Sequence, residues 1–217
     1  MRQHHPFDTP LIGDLLCAAA GGIDASSYLL HGHVFAGLQT GNLILLGTKF
    51  DQLNPEEILR YAFTVTMFFI GVVITRLIQE HSGQLPGRLE RLILIVEMLL
   101  LAVAAEVACF RNDFWVNGIM ALAAASQLQE FRQVAGNPFT SLMMTGHLRK
   151  VADFGYTGLL SHYSPATRRA LINLQMLIGF LAGAIVTGFS VGYLNNWSLA
   201  VPILFLLVIE ILSWRTK

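Results

Sequence analysis

Charge is scarce in this chain: only 13% of its 217 residues are Asp, Glu, Lys or Arg, about half the ~25% of a soluble domain. Acidic and basic residues balance at 14 each, so no basic face points to nucleic acid. No charged or low-complexity tail points to a docking arm. There are two cysteines, Cys17 and Cys109, both inside apolar stretches, where a thiol behaves as a small buried hydrophobe and a structural disulfide is not expected. The sequence also lacks a nucleophile with base and orienter, a phosphate loop and a cofactor box. The chain is therefore not expected to be an enzyme or to need a cofactor; an intramembrane hydrolase built on Asp24 is the one enzymatic alternative.

What is abundant is apolar length. Hydrophobic residues make up 54% of the chain and the mean hydropathy is +0.56. Runs near 20 residues, enough to cross ~30 Å of hydrocarbon, fall at 11–30, 57–78, 91–110, 115–132, 168–191 and 197–214. They predict an all-α membrane protein, one domain over 1–217 with six transmembrane helices. Ala18-Ala19-Ala20 in the first run resembles a signal-peptide cleavage site. The segment before it holds Asp8, Asp14 and a single Arg, so the run is expected to be retained as a span.

With six spans, both termini and the loops after spans two and four share one side. That side gathers eleven basic residues: Arg2, Arg76, Arg88, Arg91, Arg132, Arg149, Lys150, Arg168, Arg169, Arg215 and Lys217. The other side has three, Lys49, Arg60 and Arg111. The positive-inside rule predicts both termini in the cytoplasm.

Two polar interruptions resemble each other. Phe35-Ala36-Gly37-Leu38-Gln39-Thr40-Gly41-Asn42-Leu43 follows the first span, and Phe139-Thr140-Ser141-Leu142-Met143-Met144-Thr145-Gly146-His147-Leu148 follows the fourth, with Thr-Gly-polar-Leu displaced by 105 residues. A helix-start signal follows each: Asn54-Pro55-Glu56-Glu57, a capping box, and Ser164-Pro165. The halves, 11–110 and 115–214, each hold three spans, so the repeat has inverted topology, the layout of many channels and carriers with a site at the repeat interface. The piece from Thr40 to about Gly47 is too short to span and predicts a re-entrant half-helix, with Thr40 and Thr145 as caps and Gly41 and Gly146 allowing close approach. Free amides at such a helix start favour an anion or carboxylate. The plainer alternative is a pair of capped turns that only pack the halves together.

Asp24 is the deepest carboxylate of the first span, beside Gly21-Gly22; it acts on a solute or proton, or caps a helix broken at those glycines. Gln129 corresponds to it at the same displacement of 105. Glu106 and Glu210 lie near span ends and suit snorkelling or ion pairing, while Glu97 is deeper. His31, His33 and a distant His147 lack the carboxylate or Cys partners of a metal site, so no metal is expected. Gly179-x-x-x-Gly183 and Gly188-x-x-x-Gly192 permit close helix packing, within the bundle or at a homodimer face.

Gly21-Gly22-Ile23-Asp24-Ala25, Tyr28, Phe35 and Thr40-Gly41-Asn42-Leu43, with Thr145-Gly146 downstream, resemble the YoaK-like family of bacterial membrane proteins, a domain-of-unknown-function family, over essentially the whole chain. The resemblance implies a small polytopic inner-membrane protein and brings no substrate. His147 stands where a second Asn would make the repeat symmetric. The expected function is a transporter or channel for a small solute, possibly proton-coupled, at a site formed by Asp24, Thr40, Gly41, Asn42, Gln129, Thr145, Gly146 and His147. The alternative is a non-transporting scaffold.

Overall fold

The computed structural model describes residues 6–48, 50, 55–81, 87–110, 112–160 and 164–215, and they are almost wholly helical. In chain order the helices are α1 (Pro10–Leu30), α2 (Gln39–Thr48), α3 (Pro55–His81), α4 (Arg88–Cys109), α5 (Asp113–Glu130), α6 (Met144–Leu160), α7 (Ser164–Leu194) and α8 (Ala200–Arg215). A 3-10 turn, Asn195–Leu199, joins the last two. A hairpin of β1 (Gln133–Val134) and β2 (Asn137–Pro138) precedes α6. Its two-residue turn has left-handed Ala135 and Gly136, at φ 53° and 69°, the twist that matches paired strands.

Each of the six apolar runs corresponds to a long helix. Three stretches among the described residues are long and apolar enough to cross a membrane: Pro55–His81, Arg88–Cys109 and Ser164–Trp214. The physical difference lies in burial. Along α1 and α5 most side chains are buried, and many are Ala, Gly, Ser, Asn or Gln. The outer helices instead expose Phe69, Ile74, Leu99, Leu181 and Phe189. α1 packs on α7 and α8, while α5 packs on α3 and α4.

Small residues let α1 and α7 approach backbone to backbone, as membrane helices do in the absence of a hydrophobic drive between them. A side-chain carbon built on Gly183 would overlap the carbonyl oxygen of Ala18 and lie 2.7 Å from its Cα. One built on Gly21 would overlap the carbonyl oxygen of Phe180. On the other side of the bundle, Gly71 of α3 would meet Ala125 at 2.8 Å and the backbone of Leu122. Gly179 and Gly183 are thus used within the chain, whereas Gly192 has open space around it.

Local signals set the helix ends. Thr9 caps α1, accepting from Ile12 N–H at 3.4 Å, with Pro10 at the first helical position. Asn112 does the same for α5, accepting from Trp115 N–H. α7 begins at Ser164 itself, with Pro165 in its first turn. Asn54, the expected cap of α3, lies outside the described residues, as do Arg2, Lys49, Arg111 and Lys217 of the charge tally.

Candidate functional site

The chain between α1 and α2 is tied to α1 by two polar side chains one helical turn apart. Asp24 Oδ1 accepts from Gly37 N–H at 2.6 Å. Ser27 Oγ donates to the Asp24 carbonyl and accepts from Ala36 N–H, both at 3.1 Å. Since α1 runs unbroken through Gly21-Gly22, Asp24 caps no helix of its own; its carboxylate reaches the next loop instead.

Asn42, fully buried, closes that loop. Its Oδ1 accepts from Phe35 N–H (2.9 Å), and its Nδ2 donates to Phe35 O (2.7 Å) and to Gln39 Oε1 (2.9 Å). One side chain thereby satisfies both backbone groups of Phe35, as a strand neighbour would. The second motif repeats the bond: His147 Nε2 lies 2.9 Å from Thr140 O, again seven residues back. The helix starts match as well, with Gly41 N–H donating to Leu38 O at 3.0 Å and Gly146 N–H to Met143 O at 3.1 Å.

These bonds correct the expected caps. α2 and α6 begin one residue before the threonines, with Leu38 and Met143 at the capping position. Thr40 and Thr145 lie exposed in the first turn, whereas Asn42 and His147, two residues on, are buried. Gly41 packs against the Phe35 ring, and Gly146 has nothing near it. Replacing Asn42 by Ala should therefore lower stability by about 3 kcal/mol, because several buried backbone and amide groups lose partners. Thr40→Ala should stay within ~0.5 kcal/mol. Thermal unfolding in detergent reads the difference, and equal midpoints would contradict this assignment.

His147 is bonded at both ring nitrogens. Nδ1 lies 2.8 Å from Asn173 Oδ1, and Asn173 Nδ2 donates to Arg169 O at 2.8 Å, which orients the amide. Both ring nitrogens therefore face acceptors. A neutral imidazole donates to one; the imidazolium donates to both.

The two loops meet beside Asp24. A carbon built on Gly37 would lie 2.5 Å from Leu142 Cδ2 and 3.3 Å from each Asp24 carboxylate oxygen. Gly37 and Leu142 occupy corresponding positions of the two motifs. Asp24 Oδ2 and the hydroxyl of Ser141, Leu142's neighbour, are buried with no hydrogen-bond partner among the described residues. Buried polar atoms without partners are expensive and rare in structural cores. Gly37, Ser27 and Ser141 carry no signal in the sequence beyond proximity to Asp24 and to its counterpart loop.

Other expected residues lie elsewhere. Gln129 exchanges bonds with Gln79 of α3, its Nε2 donating to Gln79 Oε1 at 3.0 Å. Glu210 is ion-paired with Arg91 at 3.9 Å and accepts from Trp214 Nε1. Glu97 is fully buried, both oxygens without a partner among the described residues. His31 Nδ1 lies 2.9 Å from Asp113 Oδ1, and Asn117 Nδ2 donates to His31 O, tying the end of α1 to the start of α5. Among the described residues no three His, Cys, Asp or Glu side chains gather as metal ligands.

Helices long and apolar enough to cross a membrane, packed around enclosed, small-residue helices, define a helical membrane protein. The chain matches the family of proteins of unknown function DUF1275 over residues 12–212 and belongs to it. It is 24% identical over 199 residues, 88% of either chain, to the UPF0700 transmembrane protein YoaK of Bacillus subtilis (strain 168). No solved structure matches it.

Proposed function

We propose that this membrane protein is a transporter or channel for a small solute, with its central site where the two loops meet beside Asp24. The observation that carries this is the Asp24 carboxylate: buried, bonded through one oxygen to Gly37, and facing the Gly37–Leu142 contact with the other oxygen unpartnered among the described residues. Intramembrane carboxylates are costly and mark solute, ion or proton paths. In this reading Asp24 carries a coupling proton, holds a cation or hydrogen-bonds the solute, and the loops part to admit it.

In the same reading α1, α3, α4, α5, α7 and α8 span the bilayer, and α2 and α6 are re-entrant. The helix pairings support an inverted repeat, because exchanging the halves turns α1-on-α7 into α5-on-α3 and α8-on-α1 into α4-on-α5. So does the small-residue packing, with Gly71 four residues before Thr75 and Gly183 four before Thr187, each glycine set against a backbone of the opposite half. The basic residues support cytoplasmic termini, and the family resemblance is what suggests an inner membrane.

A competing reading, a non-transporting scaffold, draws on Asn42, whose bonds are all spent inside its own loop. A thermal-shift screen of the purified chain against amino acids, organic anions, inorganic cations and metals separates the two. A native-state ligand at 100 times its Kd adds about 2.7 kcal/mol of stability. A hit that Asp24→Asn abolishes is expected; a flat screen together with no flux in proteoliposomes favours the scaffold.

A further inference from the structure

A second polar region, away from Asp24, lies under the hairpin. His147, Lys150 and Phe154 share one face of α6, and Arg169, Ile172 and Met176 one face of α7. Between these faces and β2 is a cavity of about 100 Å³ whose walls carry His147, Lys150 and Arg169 and, among the described residues, no carboxylate. Lys150 Nζ donates to Pro138 O at 2.9 Å, and the Arg169 guanidinium sits 5.7 Å from the Phe154 ring centre. Among the described residues no ion pair includes Lys150, Arg168 or Arg169. Burial, then the neighbouring charge of Arg149, lowers the Lys150 pKa from its ordinary value; an anion in the cavity would offset both.

A second hollow adjoins this cavity. Asn137, Arg169 and Ile172 also line a cleft whose wall includes Arg168 at the start of α7. Arg168 and Ile172 in turn border an apolar groove between α1 and α7, walled by Leu11, Leu171, Leu174 and Ile178. Those four side chains are 39–57% exposed, on a surface that faces lipid once α1 and α7 span the bilayer. Asp14 is the one carboxylate along this groove among the described residues, and its Oδ1 is turned against Gly179.

A cationic pocket that shares its walls, by way of the cleft, with a lipid-facing apolar groove matches a molecule with an anionic head and a hydrocarbon tail. We propose that these adjoining hollows together bind an anionic phospholipid, its phosphate between Lys150 and Arg169 and one acyl chain along the α1–α7 groove. Inorganic phosphate meets the cations and leaves the groove bare. A zwitterionic lipid brings a cation of its own into a pocket whose described walls hold no carboxylate to meet it. Basic pockets between membrane helices take phospholipid heads in this way. The inference rests on α1 and α7 crossing the membrane, and not on transport through the Asp24 site.

The test uses the purified full-length chain, delipidated and then offered phosphatidylglycerol, phosphatidylcholine or inorganic phosphate. Retained lipid is read by native mass spectrometry and stability by thermal unfolding. Phosphatidylglycerol should be retained and stabilise, and the other two should do neither. Lys150→Gln with Arg169→Gln should weaken its retention roughly 30-fold, while Arg76→Gln with Arg88→Gln, an equal charge loss elsewhere, should not. If the first pair fails to fold, Arg168→Gln at the exposed mouth should weaken retention roughly fivefold. Equal retention in both pairs, or equal stabilisation by inorganic phosphate, would overturn the proposal.

Discussion

An Asp24→Asn chain is expected to insert, fold and migrate like the parent while its solute uptake falls to background. The amide keeps an oxygen for Gly37 N–H, now held by the carboxylate at 2.6 Å, so the loop remains tied to α1. What it loses is the negative charge and the proton it can exchange. Asp24→Ala removes the acceptor as well, leaves a buried backbone amide unpaired, and should cost about 2 kcal/mol beyond the Asn variant. Proteoliposome flux under an imposed pH gradient, measured beside thermal unfolding, separates the two effects. Wild-type uptake by Asp24→Asn would remove the coupling role; a collapse of stability in that variant would make Asp24 a structural tie.

Gly183→Ala should produce the largest structural effect, and Gly192→Ala the opposite sign. Both glycines lie in α7 and belong to small-residue pairs, yet their surroundings differ. The new methyl at 183 would overlap the Ala18 carbonyl, which no rotamer change relieves, so α1 and α7 must separate. Overpacking of this kind costs about 3 kcal/mol or more, and the α1–α7 contact carries much of the bundle. At 192 nothing lies within 4 Å, so Ala brings only its helix preference, a gain of roughly 0.5–1 kcal/mol. Detergent thermal midpoints should therefore move in opposite directions. Midpoints that move together would show that the α1–α7 approach is looser than described.

How far the site was legible depends on the kind of interaction. Asp24 stood out because a carboxylate within an apolar run has few structural excuses. The Thr-Gly pairs stood out through repetition, but repetition did not say which residue of each motif turns inward. The helices start at Gln39 and Met144, two residues earlier than a Thr cap would require, and that register exposes Thr40 and Thr145 and buries Asn42 and His147. A shift of one residue turns a helix by roughly 100°, so small errors of register exchange inside for outside. Gln129 shows the same sensitivity: it matches Asp24 in sequence displacement, yet pairs with Gln79.

By itself the sequence determined that this is a helical membrane protein, where its long apolar helices run, and which motif occurs twice. These follow from local quantities: hydropathy over about 20 residues, caps, and helix-breaking polar clusters. Only the tertiary structure decided that α1 and α5 are the enclosed helices, that Asp24 holds Gly37, that Gly37 meets Leu142, and that Lys150 and Arg169 face one cavity. Each of those contacts joins residues on different elements. Their partners are chosen by which small side chains let two helices close, and that choice is not encoded in either segment alone.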